Sequence, residues 1–215
     1  MIEVQTFTFF PEAFAENTYV VSDKTGHCVV IDPGCYTQAE RKRLIDHLEN
    51  RGLHLEKVLN THCHLDHIFG NRLLVERFEV PLIACEKDVY NIQQAEIAAQ
   101  LWNLSLDPSP MPDEFVDEGD TVTFGNTTFQ VLFTPGHSAG HVSFYLPEDN
   151  CLFSGDVIFQ NSFGRVDLPG GSMNTLRTTI QERIFTLPED TRIYAGHMGF
   201  TTVGQEKATN PINWV

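Results

Sequence analysis

The chain has 215 residues, 41% of them hydrophobic and 20% charged, which is apolar material enough for one packed domain and argues against disorder. Its formal net charge of −15 argues against nucleic acid or an anionic membrane as partner, although a metal site inside an acidic shell can still take an anion. Five cysteines without a CxxC, no apolar run long enough to span a bilayer, and no basic-then-apolar leader at Met1-Ile2-Glu3-Val4-Gln5 argue against a disulfide framework, a transmembrane helix and a secretory signal, and the expectation is a reducing cytoplasm.

Ile2 to Phe10 is rich in Ile, Val, Thr and Phe and predicts a first strand. Asn17–Val21 and His27–Ile31 predict two more, with turn chemistry over Ser22–Gly26 and a sharp close at Asp32-Pro33-Gly34. Ala39, Leu44, Ile45 and Leu48 give an amphipathic helix over Thr37–Arg51, ended by Gly52. A buried strand runs through Val58-Leu59 to Asn60, a helix is expected from Ile68 to Phe78, Pro81–Ala84 is a short strand, and Cys85–Leu101 is a third helix. The proline-rich stretch Asp107–Pro112 breaks regular structure and reads as a surface connection, one that can border a substrate cleft. Beyond it, Thr121–Phe124, Thr127–Phe133, His141–Leu146 and Cys151–Phe153 are strand-like. Asn161–Gly171 is irregular, Ser172–Phe185 is a helix capped by Ser172, and Arg192–Ala195 is a last strand. Each half runs strands first and helices after, so an α/β (α+β) sandwich of two facing sheets with helices outside, one domain over 1–215, would bury every apolar face.

The chemistry concentrates where the strand ending at Asn60 meets the next helix. His62, His64, Asp66 and His67 fall within six residues, on a strand-to-helix turn where a rigid scaffold presents loop side chains. Alternation turns His62 and His64 to one side and Cys63 to the other, where it is a packing residue. Imidazole and carboxylate are the donors that zinc and related metals accept.

Three further donors sit at strand ends, each directly after a glycine: Gly136-His137, Gly155-Asp156 and Gly196-His197. One histidine in such a place is usually just a polar loop residue; three in the same setting point to a shared task. His141 reads as a supporting residue, and His27, His47 and His54 as solvated. Seven donors exceed one tetrahedral site and suit two metals sharing a carboxylate, for which Asp156 is the natural bridge. The expected split is His62, His64 and His137 on one ion, and Asp66, His67 and His197 on the other.

The series Thr61-His62-Cys63-His64-Leu65-Asp66-His67, Thr134-Pro135-Gly136-His137, Ser154-Gly155-Asp156 and Ala195-Gly196-His197 resembles the metallo-β-lactamase superfamily, whose fold is an αββα sandwich. Ile31–Gly34, Thr134–His141, Ser154–Phe159, Phe163–Asp167 and the Thr201–Glu206 tail with Asn210-Pro211 are similar to the glyoxalase II-like branch, the relatives of hydroxyacylglutathione hydrolase, and especially to its short members. The resemblance implies two divalent ions, zinc with iron or manganese as alternatives, and hydrolysis of S-lactoylglutathione or a related acyl-thiol by a metal-bound hydroxide. It implies a small-molecule substrate and places Arg165 where the family carries a basic glutathione contact. Two departures qualify it: the chain ends about where a C-terminal glutathione-gripping helical domain would begin, and Met198-Gly199 follows the last histidine where an aromatic is common.

Within that chemistry Asp66 is both a ligand and the carboxylate nearest a bridging water, so it is the candidate proton carrier. Asp32 is either an orienting partner for a histidine or a turn residue before Pro33. Arg165 either forks onto a substrate carboxylate or pairs with Asp167. A persulfide dioxygenase, with one iron on His62, His137 and Asp156, is the competing reading, and a non-catalytic metal-binding module the third. Lactamase action is disfavoured by the missing leader, and a flavo-diiron role by His64, which stands where those sites carry a carboxylate.

Overall fold

The computed structural model describes residues 1–215. The first sheet is built from β1 (Glu3–Phe9), β2 (Glu16–Ser22), β3 (His27–Ile31), β4 (His54–Leu59), β5 (Leu82–Ala84) and β6 (Glu114–Phe115), in that spatial order. β1, β2 and β3 pair antiparallel, while β3, β4, β5 and β6 run parallel. Parallel neighbours need crossovers, and α1 (Gln38–Asn50) and α2 (Asn71–Phe78) supply the first two. Thr37 starts α1 with a reciprocal capping box, its hydroxyl accepting the Glu40 N–H at 3.2 Å and the Glu40 carboxylate accepting the Thr37 N–H at 2.8 Å. α3 (Val89–Leu101) leads from β5 toward β6.

The second sheet takes β7 (Thr121–Phe124), β8 (Thr127–Phe133), β9 (Val142–Leu146), β10 (Cys151–Gly155), β13 (Arg192–Ala195) and β14 (Thr201–Thr202). A small hairpin, β11 (Ile158–Phe159) with β12 (Ser162–Phe163), stands apart, and α4 (Met173–Thr179) makes the crossover between β10 and β13. Ser172 caps α4 by accepting the Thr175 N–H at 3.3 Å, and α5 (Val203–Thr209) is followed by a 3₁₀ turn over Pro211–Trp214.

Three apolar layers define the sandwich. Between the sheets, Tyr19, Val29 and Leu59 from one side meet Phe124, Phe129, Phe144 and Phe153 from the other. Val20, Val30 and Val58 face outward onto Leu44, Ile45 and Leu48 of α1 and Leu74 of α2. Leu152 and Ile193 face outward onto Leu176, Ile180 and Ile184. The order helix–sheet–sheet–helix is the αββα architecture expected above. Strands such as β2 and β9 are buried along their whole length because both faces are covered. At roughly 25 cal/mol per Å² of apolar surface, each fully buried phenylalanine in the central layer contributes about 2 to 3 kcal/mol.

The expected helices hold with shifted bounds, and the one expected over Ser172–Phe185 is α-helical only over Met173–Thr179 before it widens into a π-helical turn over Ile180–Ile184. α2 begins at Asn71, not Ile68, because Leu65–His67 winds into a 3₁₀ turn, with the His67 N–H donating to the His64 carbonyl at 3.1 Å. α3 begins at Val89 after a second such turn over Glu86–Asp88. No helix is long and apolar enough to cross a membrane.

Candidate metal centre

The loops that follow β3, β4, β8, β10 and β13 gather at one end of the sandwich. The parallel strands among them end there with their carboxyl termini, where open α/β sheets place their ligands. Each loop is shaped by a local device. Asp32 adopts φ +49°, a left-handed conformation that aspartate tolerates better than most residues. Its carboxylate accepts the Thr61 N–H at 2.7 Å and the Thr61 hydroxyl at 2.6 Å. That anchors the base of the His62–His67 segment. Gly155 has φ +47°, and a Cβ there would run into the Thr61 hydroxyl and His141 Nε2, so glycine alone lets Asp156 approach.

The seven donor residues expected from the sequence are brought together. His62, His64 and His137 offer donor atoms within 4.8 Å of one another, and so do Asp66, His67 and His197. Asp156 stands between the two sets: Oδ1 is 3.5 Å from His67 Nε2, while Oδ2 is 3.6 Å from His137 Nε2 and 3.3 Å from His197 Nε2. Asp66 Oδ2 lies 3.4 Å from His197 Nε2 and 3.6 Å from His67 Nε2. These separations exceed the usual 2.9 Å or so of an N–H···O bond. They match the roughly 3.4 Å between two donors that each stand about 2.1 Å from one tetrahedral ion.

Several of these atoms are buried without any hydrogen-bond partner: His62 Nε2, His67 Nε2 and Asp156 Oδ1. Leaving such groups unpaired costs about 1 to 3 kcal/mol each, so a cluster of them is accounted for by ions that satisfy them together. The residues present therefore fit divalent metal.

Ring orientation is set from behind. His137 donates from Nδ1 to the Arg165 carbonyl at 2.7 Å, which turns the Nε2 lone pair into the site, 2.8 Å from His64 Nδ1. His197 donates from Nδ1 to the Phe14 carbonyl at 3.0 Å with the same result. Asp32 Oδ2 faces His67 Nδ1 at 3.2 Å, so Asp32 takes the orienting role and is more than a turn residue. His141 accepts the Asp156 N–H on Nε2 at 3.1 Å and meets the Thr134 hydroxyl through Nδ1 at 3.0 Å. It supports Asp156 and stands in neither donor set.

The two sets differ electrostatically. Burial, reinforced by neighbouring imidazoles, pushes His62 well below its ordinary value and His64 down to about 4. Burial also opposes charge on His67 and His197, yet Asp66 and Asp156 overcome it for His67 and Asp156 does so for His197, raising His67 well above its ordinary value and His197 to about 10. Burial would raise Asp156, but His197 and His67 hold it well below the carboxylate range. Without metal His62 and His64 are thus neutral lone-pair donors, and the second set is knitted by imidazolium–carboxylate pairs whose protons an ion displaces.

Arg165 is the one site residue whose side chain stays outside the cluster. Its guanidinium forks onto Asp167, at 2.7 Å for each of two bonds, on an exposed loop. Sequence reasoning also passed over Asp88, Glu16 and Phe14. Two are single acids without a motif, and Phe14 acts through its backbone, which no residue type betrays.

A model of the metallo-beta-lactamase superfamily matches residues 11–197. Hydroxyacylglutathione hydrolase GloC of Haemophilus influenzae is 36% identical over 201 residues, 93% of this chain and 93% of that one. The mitochondrial persulfide dioxygenase ETHE1 of Homo sapiens is 34% identical over 199 residues, 90% of this chain and 70% of that one. Among solved structures, the BLEG-1 B3 metallo-beta-lactamase has a TM-score of 0.91 at 32% identity, covering 99% of this chain and all of that one, 100%. TTHA1623 in a di-iron-bound form has a TM-score of 0.84 at 37% identity, covering 97% and 98%. With its two facing sheets, its clustered histidines and aspartates and this extent of match, the chain belongs to the metallo-beta-lactamase superfamily.

Proposed function

We propose that the chain is a metal-dependent thioester hydrolase of the glyoxalase II type, acting on S-lactoylglutathione or a related acyl-thiol. The observation that carries this is the pair of three-residue donor sets with Asp156 between them. His62, His64 and His137 would hold one ion and Asp66, His67 and His197 the other, with Asp156 shared between them. Zinc suits these donors, and iron or manganese is compatible with them. When bound, two such ions supply Lewis acidity and water acidic enough to attack a carbonyl near neutral pH. The hydroxyacylglutathione hydrolase relative, matched along 93% of its own length, supports the same reading.

The chain's own groups do the rest. Asp66 is kept ionised against its burial by His67 and His197, so it can accept a proton from water at the site and pass it outward. The Arg165 and Phe14 carbonyls hold His137 and His197 in the tautomers that aim Nε2 inward. A thiolate leaves readily, its conjugate acid having a pKa near 8.5, so no strong general acid is needed. Arg165, once released from Asp167, is the anchor for a substrate carboxylate. The acidic surface directs the site to small molecules and away from nucleic acid and membranes.

A second reading, persulfide oxidation with one iron on His62, His137 and Asp156, draws support from the human relative. Metal analysis of the purified protein together with a panel of thioesters, a persulfide and a β-lactam separates the readings. Two ions per chain with hydrolysis of S-lactoylglutathione is the expected result. One iron per chain, oxygen uptake with the persulfide and no thioester turnover would overturn it.

A further inference from the structure

Asp88 immediately precedes α3, at the position where an aspartate ordinarily caps its own helix by accepting a first-turn N–H. It makes no such bond. The side chain is buried, 1% exposed, and both oxygens are turned away to other segments. Oδ2 accepts the Cys63 N–H at 2.5 Å, and Oδ1 accepts the Gly140 N–H at 3.1 Å. Cys63 sits between His62 and His64, and Gly140 lies three residues past His137. One carboxylate therefore bridges the ligand loop of the first sheet to the ligand loop of the second.

The fit at that bridge is close. A Cβ on Gly140 would collide with the Asp88 backbone nitrogen and, at 2.8 Å, with its Cβ. The same two loops are joined at their bases by the Val142 N–H donating to the Thr61 carbonyl at 2.8 Å. Asp88 joins them nearer their tips, where His64 Nδ1 stands 2.8 Å from His137 Nε2. His64 and His137 come from different sheets, and Asp88 adds a backbone-level tie to the hydrogen bond between their rings.

We propose that Asp88 is a positioning residue: a two-armed clamp that holds the Cys63 and Gly140 amides together and so pre-sets the His62/His64/His137 triangle for metal. This rests on the assignment of that triangle to one ion. Removal of the clamp lowers the affinity of the first donor set by about 10- to 100-fold, the range seen for groups that orient metal ligands. The Asp66/His67/His197 set, which the clamp does not touch, keeps its affinity.

The test uses the full chain and measures zinc binding by chelator competition in two backgrounds. His197→Ala weakens the second set and reports the first; His64→Ala weakens the first and reports the second. Adding Asp88→Ala is expected to weaken binding in the His197→Ala background and to leave it within about threefold in the His64→Ala background. Asp88→Asn, which keeps one acceptor and its size, is expected to fall between Asp88→Ala and the unsubstituted chain. In the metal-free protein, amide exchange at Cys63 and Gly140 should accelerate while exchange in β2 and β9 stays unchanged, a readout that survives if binding cannot be measured. Unaltered zinc affinity in the His197→Ala background, equal losses in both backgrounds, or unaltered exchange at the two amides would overturn the clamp. If the unsubstituted chain holds a single ion, the two-ion assignment fails on its own, and the clamp is then judged by exchange and by the affinity of whichever ion His137 holds.

Discussion

His67 Nδ1 lies 3.2 Å from Asp32 Oδ2, and the other oxygen of that carboxylate takes the Thr61 N–H at 2.7 Å. Asp32 thus aims one ring of the second donor set while pinning the backbone that carries the first. Asp32→Asn keeps the left-handed backbone, which asparagine also tolerates, and exchanges the charge and one acceptor oxygen for an amide donor. We expect affinity for the weaker-held ion to fall roughly 10- to 100-fold, measured by chelator competition. Unaltered affinity for both ions would show that Asp32 serves the turn alone.

Proton uptake by the metal-free protein should run in two opposite directions. His64, lowered from 6.5 to about 4 chiefly by burial, stabilises the fold as a neutral ring. That contribution is complete above pH 6.5 and is lost as pH falls through 4. His197, raised from 6.5 to about 10 by Asp156 against its burial, stabilises the fold as a cation. That contribution is complete below pH 6.5 and is lost as pH rises through 10. The urea midpoint of the metal-free protein should therefore peak near the ordinary imidazole value and decline on either side. Saturating zinc should remove the alkaline decline, because the ion takes the place of the proton. A metal-free midpoint that climbs steadily between pH 7 and 10 would contradict this assignment of charge.

Gly155→Ala should be costly at a position that carries no chemistry. The residue has φ +47°, and its missing Cβ makes room for Thr61 and His141. Backbone strain of about 1 to 3 kcal/mol and displacement of Asp156 should appear together, as a lower melting temperature and a metal content below that of the unsubstituted chain. A variant that melts normally and loads fully would mean the turn can relax without moving Asp156.

Arg165→Ala separates a surface ion pair from a substrate anchor. The Arg165–Asp167 pair is more than half exposed on both sides, and such pairs contribute less than about 1 kcal/mol, so melting should hardly move. The backbone carbonyl that orients His137 survives the substitution. KM for a carboxylate-bearing thioester should rise about tenfold, the loss of one charge-assisted contact, with kcat little altered and an uncharged thioester unaffected. Equal KM for both substrates would leave Arg165 to its pairing with Asp167.

Most of the site was legible because its donors are chemically marked and follow strands whose apolar runs are unmistakable. Alternation placed His62 and His64 together and sent Cys63 into the apolar layer against Leu65, Ile68 and Phe69. What escaped was short or silent. β6 has two residues, too few to show a period. The β11–β12 hairpin reaches into a stretch whose glycines and polar residues resemble a plain loop. The proline-rich connection proved more tied than its composition suggested, since Ser109 is buried and accepts from the Asn71 amide at 2.9 Å. Glu16 is buried with one oxygen unpartnered and its carboxyl pushed well up by desolvation, yet in the sequence it is one acid among 29. Long-range support of this kind is created by the fold and has no local pattern to read.

The bond from His197 to the Phe14 carbonyl joins the fourteenth residue to one near the far end of the chain. Neither donor set can be finished early during synthesis: His137 must emerge for one and His197 for the other, and His197 must then swing back against a hairpin made at the outset. The second set therefore waits for His197 to be made, and a nascent chain that stops short of it, however well its first sheet has formed, holds only half a cage.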